Sequence, residues 1–298
     1  MRCPSFALVA LVVTLSIPAG AGASTLIDRN ASGATLQVDK TGRALVSYRA
    51  GGKERHVLAW GAVNAIPPTV GRRQVNFQLD YSGGWGSSRK EVWKTFANTC
   101  GPYTGPPLAW LVTACTAKDG SNWALQAWQR MLPDYGLAPT ATQSAWELRL
   151  SHWTGPLPVL RVYTDWAYRK YDHLFGTFTY RGVPVHGFSS TAQGSPLDTF
   201  GRNLYVDTYD SAYGTGWKRE NSFLTHMGTG DFCYGFYPHG DRPAGNGQRY
   251  RATIIGPGVT PDVMWQGMPP GTYDPTLDLQ LTEVERHVSA SDQLCRPV

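Results

Sequence analysis

From Ala34 onward, turn-forming residues cut the chain into short runs. "ATLQVD", "RALVSYR" and "RHVLAWGAV" are separated by "KTG" and "AGGK". Each run alternates apolar and polar side chains and is rich in branched or aromatic residues, the pattern of a half-buried strand. Gly and its polar neighbours supply the turns. A period of two puts successive side chains on opposite faces. A chain built this way buries its apolar faces by stacking one sheet on another. The rhythm continues toward the C-terminus, with turns about every 8–12 residues and few helical stretches. It predicts an all-β fold, an antiparallel β-sandwich or jelly-roll-like body with one or two short helices.

Several segments allow more specific expectations. "RQVNFQLDY" reads as a strand ended by Gly83-Gly84. Residues 87–99 are the best helix candidate: Ser88 and Glu91 have capping-box spacing, Val92, Trp93 and Phe96 share a face, and Gly101 is a stop. "KDGS" lies between "LAWLVTACTA" and "NWALQAWQRML". Its Asp-Gly favours a hairpin, although the residues of the second run favour a helix. "SAWELRLSHW" and "PVLRVYTDWA" read as a strand pair joined by "TGPLP", with Trp146, Leu148 and Leu150 facing the core. "LFGTFTYRGVPVHGF" reads as a hairpin turning at Arg181-Gly182, and "LDLQLTEVERHVSASDQLC" suits either a strand or a helix. Residues 24–298 are expected to form one compact domain. The alternative is two closely packed sub-domains divided near residue 175.

The N-terminus reads as a signal peptide over residues 1–23. Arg2 precedes the apolar run "FALVALVVTLSIP", and Ala21-Gly22-Ala23 matches an A-x-A cleavage site before Ser24. The run is shorter than the ~20 residues of a spanning helix, and no later stretch is long enough. A secreted, extracellular protein without a membrane span is expected. Cys3 leaves with the leader, and Cys100, Cys115, Cys233 and Cys295 remain. An even count in an exported chain implies two disulfides. Of three possible pairings, Cys100–Cys115 with Cys233–Cys295 is favoured, because each pair falls within one half of the chain. Neither C-x-x-C spacing nor H-x-x-x-H is present, so no metal is expected. Arg predominates over Lys, and Ala, Gly and Pro are abundant, a composition typical of GC-rich bacterial genomes.

The net charge is +5 with no basic run, and nucleic-acid binding is not expected. Arg249 and Arg251 share a strand face with Arg242 nearby, which would favour an anionic surface; a solvated strand is the simpler account.

G-x-S-x-G, H-E-x-x-H, the P-loop and a complete G-x-G-x-x-G are all missing, so no cofactor is expected. The residues that remain group into constellations. In "LYVDTYD", alternation sets Tyr205, Asp207 and Tyr209 on one face. "WKRENSF" returns after the Gly-rich "SAYGTG", placing Tyr209 opposite Trp217, Asp207 opposite Arg219 and Tyr205 opposite Asn221. Aromatic rings beside Asp, Arg and Asn suit a sugar, whose C–H face stacks on a ring while its hydroxyls take paired hydrogen bonds. A slight register shift would instead bring Asp207 to Glu220 as a carboxylate acid/base pair. An ordinary exposed strand face explains the same residues with no ligand. Asp231, His239 and Asp241 in "GDFCYGFYPHGD" are a weaker calcium or proton-transfer candidate. Glu147 with Asp165 forms a possible glycosidase pair or a salt-bridge ladder with Arg149 and Arg161.

The leading expectation is a secreted or envelope-associated protein that binds a polysaccharide or cell-wall glycan without catalysis. Its ligand residues are Tyr205, Asp207, Tyr209, Trp217, Arg219 and Asn221. The alternatives are a glycoside hydrolase with Asp207 and Glu220 as catalytic residues, and a structural envelope or coat protein.

Overall fold

The computed structural model describes residues 24–67, 74–130, 144–185, 198, 201–225, 229–236, 247–289 and 295. The expected leader 1–23 lies outside the described residues, as do His239, Asp241 and Arg242.

The first half of the chain comprises β1 (Thr25–Arg29), β2 (Ser32–Val38), β3 (Ala44–Ala50), β4 (Lys53–Trp60), β5 (Gln78–Asp80), helix α1 (Trp85–Ser88), β6 (Gly101–Pro102), β7 (Leu111–Thr116), β8 (Asn122–Gln129) and β9 (Trp146–Trp153). The second comprises β10 (Val159–Ala167), β11 (Tyr171–Tyr180), β12 (Val183–Pro184), β13 (Leu204–Ser211), β14 (Gly214–Phe223), β15 (Asp231–Gly235), β16 (Arg249–Ile254), β17 (Val263–Gly267) and helix α2 (Pro275–Val288).

The fold is all-β, with antiparallel sheets. Those of the first half have orders β2-β3-β4-β5 and β1-β9-β8-β7-β6. Val46, Val57 and Tyr48 of one meet Trp123, Leu125 and Leu150 of the other in a common core. The second half repeats the architecture. Its sheets are β14-β13-β16-β17 and β10-β11-β12, with β15 also paired to β11. Leu204, Val206, Ala252 and Ile254 pack there against Leu174, Phe178, Phe232 and Tyr234. Each core is therefore a pair of stacked sheets filled by alternate residues. The sheets divide between β9 and β10, whereas residue 175 falls in the middle of β11.

A polar seam joins the halves. The 256–262 segment lies against the second face of β8 and β9, and Asp262 is its centre. Its carboxylate accepts from Ser24 Oγ at 2.6 Å, Trp128 Nε1 at 2.7 Å and Arg130 at 3.3 Å. Its backbone exchanges two bonds with the Gln126 amide, at 2.9 and 3.0 Å. Beside it, Glu147 pairs with Arg29, Arg130 and Arg149 at 3.1–3.2 Å. Burial would raise the Glu147 carboxyl, but these guanidiniums outweigh it and hold the group below its ordinary value.

The expected hairpins form. β7 and β8 turn at the Asp-Gly site, and β11 and β12 turn at Arg181-Gly182, both with positive φ (52° and 76°) as a type I′ turn demands. Helix-favouring residues are held extended in β8 because both its faces are covered: Trp123 and Leu125 enter the first core, Gln126 and Trp128 the seam. Tertiary burial overrides propensity here. The disulfides are Cys100–Cys115 and Cys233–Cys295, the favoured pairing.

Other expectations are corrected. β9 and β10 do not pair: β9 lies between β1 and β8, and β10 pairs with β11. Glu147 and Asp165 consequently sit in different sheets. Leu148 and Leu150 face the core as expected, but Trp146 is 48% exposed. The helix over 87–99 is replaced by α1 and a separate 3-10 turn at Val92–Thr95. Arg89 between them adopts φ 56°, which breaks the helix, and the Asp80 carboxylate binds the Ser87 amide and hydroxyl at 2.8 and 2.6 Å. Trp93 then stacks on His56 at 4.2 Å instead of joining a helix face.

The C-terminal stretch is helical over Pro275–Val288. Asp274 caps α2 through the Thr276 and Leu277 amides, and Pro275 occupies its first turn. α2 in turn supports the β10–β11 turn. Tyr168, Arg169 and Lys170 all have positive φ there, an unfavourable conformation for residues with a Cβ. Their amides are bound by Thr282 Oγ1 and the two Asp278 carboxylate oxygens at 2.7–3.0 Å.

Candidate functional site

β13 and β14 place the candidate residues. Tyr209 lies opposite Trp217 and Asp207 opposite Arg219. A bulge then shifts the register: Asn221 pairs with Val206, and Tyr205 faces Ser222 rather than Asn221. The bulge leaves Glu220 unpaired in the ladder, and it separates the two carboxylates. Asp207 bonds Arg219 Nε at 2.6 Å and Arg251 Nε at 2.9 Å. Glu220 instead accepts from Thr208 Oγ1 at 3.3 Å, on the side of the second core. The hairpin does not bring Asp207 and Glu220 into one cleft. Asn221 is also away from Asp207; its side-chain oxygen accepts the Ser222 amide at 2.7 Å.

The face carrying Tyr205, Asp207 and Tyr209 is only partly open to water, because β8 packs across its inner end. Tyr205 is fully buried. Its ring meets Trp128 edge-on at 5.1 Å, its hydroxyl donates to Asp198, and the Arg219 guanidinium lies over it at 4.7 Å. Asp207 and Arg219 are buried too, each 2% exposed. Toward the hairpin turn the face opens. Tyr209 and Trp217, 5.2 Å apart and edge-to-face, are half-buried.

The opening is a cleft of about 240 Å³ between the two halves of the chain. Trp217 of β14 stands on one side; Trp110, Trp128 and Trp146 come from the other half. Asp207, Arg219 and Arg251 supply its charged surface, and Gln129 its amide. Arg251 is clamped between rings, 4.2 Å from Trp217 and 4.6 Å from Trp110. Arg249, two residues along β16 on the same face, lies 4.4 Å from Tyr209 and 5.5 Å from Trp217. Rings and guanidiniums alternate across the mouth of the cleft. Stacking of this kind orients a cation while leaving its N–H edge available to a ligand.

Trp110, Trp128, Trp146 and Gln129 join the site only through the tertiary structure. Alternation in "SAWELRLSHW" pointed Trp146 inward with Leu148, and no local signal ties Trp110 or Trp128 to a hairpin some 80 to 100 residues later. The Arg249–Arg251 spacing was the legible part. Asp231 opens β15, while His239 and Asp241 lie outside the described residues. His152 stacks on Trp123 at 3.7 Å, and its Nδ1 donates to the Ala62 carbonyl at 2.6 Å. Burial pulls its pKa down to about 4, the state of a neutral, structural imidazole.

Among the described residues, the sulfurs of Cys233 and Cys295 and a Glu285 carboxylate oxygen lie within 4.8 Å of one another. The two cysteines are disulfide-bonded, which removes the thiolates a metal would need. Comparison with known protein families, curated proteins and solved structures gives no match.

Proposed function

We propose that this chain is an exported, non-catalytic carbohydrate-binding protein and that one sugar ring occupies the cleft between β14 and the Trp146 end of β9. The observation that carries this reading is the cleft's composition. Indoles from both halves of the chain surround a charged surface of Asp207, Arg219 and Arg251. A pyranose needs both parts at once: a flat apolar wall for its C–H face and fixed hydrogen-bonding groups for its hydroxyls. The volume, about 240 Å³, lies below the ~300–1,000 Å³ typical of drug-sized pockets and is scaled to a small ligand. Its position at the junction of two packed units is a frequent one for ligand sites.

Export is supported by the leader-like sequence before Ser24 and by the two disulfides. No helix among the described residues is long and apolar enough to cross a membrane. The paired guanidiniums on Asp207 support a binding role for that side chain rather than an acid/base partnership with Glu220.

The test is a broad glycan and peptidoglycan array with the purified protein, followed by Trp217→Ala and Trp146→Ala. Both side chains reach solvent, so both variants should fold, and each should weaken binding by about tenfold or more, the ~1–2 kcal/mol expected of a desolvated ring contact. An array without a single binder removes the reading and leaves a structural envelope role as its successor.

A further inference from the structure

We infer that the sugar taken by this cleft is acidic, a ring bearing a carboxylate such as a uronic acid. The inference rests on the carbohydrate reading above and specifies its ligand. The described side chains around Trp217 include three guanidiniums, Arg219, Arg249 and Arg251, against two carboxylates, Asp207 and Asp210, the latter accepting the Gly216 amide at 2.6 Å. Asp207 is shared: Arg219 takes one of its oxygens at 2.6 Å and Arg251 the other at 2.9 Å. The Arg249 side chain has neither an ion pair nor a hydrogen bond among the described residues. It is fixed instead by the faces of Tyr209 and Trp217.

A stacked guanidinium keeps its in-plane N–H donors free, and their fork matches a carboxylate in two parallel bonds. Arg249 and Arg251 are two residues apart on one strand face, so their Cα atoms are separated by roughly 7 Å. Trp217 lies beside both. Arg249 stands beside Trp217 just outside the cleft's lining, where a substituent projecting past the indole would meet it. A neutral sugar leaves that guanidinium without a counter-charge among the described residues. A carboxylate on the ring supplies it and forms charge-assisted bonds about twice as strong as neutral ones.

The experiment compares a galacturonic acid oligomer with the neutral galactose oligomer of equal length, by titration calorimetry on the intact exported protein at low and high salt. The uronate should bind about tenfold more tightly, and added salt should narrow the difference. Arg249→Gln should lower the uronate-to-neutral affinity ratio about tenfold, while Arg249→Lys, which keeps the charge but not the fork, should retain part of it. The salt comparison on the parent needs no variant and stands if a substitution disturbs folding. Equal affinities, or a preference for the neutral oligomer, overturn the acidic inference and keep the sugar reading. Binding of neither oligomer, after an array that also found no binder, overturns both.

Discussion

Glu220 sits at the bulge of β14 with its carboxyl turned toward Thr208 and Tyr213. Burial, with smaller contributions from Asp172 and Asp207, pushes its pKa up to about 8. Tyr250 donates to Asp172 in the same region. The folded protein therefore holds a proton on Glu220 at neutral pH, whereas the unfolded chain releases it near pH 4.5. Folding takes up a proton between these values. The stability linked to Glu220 is complete below about pH 4.5 and is lost as pH rises through about 8. His152 has the opposite slope, because its depressed pKa costs stability as pH falls from 6.5 toward 4. The two are separable above neutrality. Thermal melts of the parent should show a midpoint that falls between about pH 7 and about pH 8 and levels off above that. Glu220→Gln, which keeps the shape without the ionisation, should flatten that slope and be the more stable protein at the alkaline end. A parent midpoint independent of pH in this range would contradict the assignment.

At the scale of the element, the β13–β14 hairpin is held to β16 by charge as well as by backbone bonds. Arg219 and Arg251 reach Asp207 from the strands on either side of β13. Removing the shared carboxylate leaves two largely buried guanidiniums without it. Breaking one side of a buried ion pair typically costs ~3–5 kcal/mol. Asp207→Ala should destabilise the protein by about that amount in urea unfolding, and Asp207→Asn by less because the hydrogen-bond geometry survives. Trp146→Ala, on the exposed edge of the cleft, should stay within about 1 kcal/mol of the parent. That contrast separates residues that build the cleft from residues that only line it. β11 is constrained differently. A Cβ on Gly176 would overlap the Phe232 ring and the Arg161 carbonyl, so β10 and β15 both approach that strand through a glycine.

At the scale of the whole molecule, the disulfides differ in what they close. Cys100–Cys115 spans 15 residues and Cys233–Cys295 spans 62. The chain-entropy relation gives about 3 kcal/mol for the first and about 4 kcal/mol for the second. The longer bridge also ties the chain beyond α2 to β15, and α2 holds the strained turn at Tyr168–Lys170. Denaturant unfolding of a Cys233→Ser/Cys295→Ser variant should therefore show the larger loss, and a Cys100→Ser/Cys115→Ser variant the smaller. The reverse order would mean that the second half is stabilised chiefly by its sheets.

Local chemistry was legible where neighbours in sequence are also neighbours in space. Asp-Gly and Arg-Gly marked two hairpins, alternation marked the strands, and the Gly-rich loop set Trp217 against Tyr209. The sequence by itself determined an all-β chain and one face of one hairpin, and it favoured one of three cysteine pairings, which the structure then settled. Only the tertiary structure decided what covers that face. Asp262 reaches Trp128 across 134 residues, and the same seam lays β8 over Tyr205 and sets three more indoles around Asp207. Period-two alternation states which side chains share a side of a strand. It carries no information on whether that side meets water or another sheet, because the answer lies in the complementarity of surfaces far apart along the chain. For the same reason β9 and β10 look like partners in sequence yet belong to different sheets: a short connection permits pairing, and packing on both faces decides it.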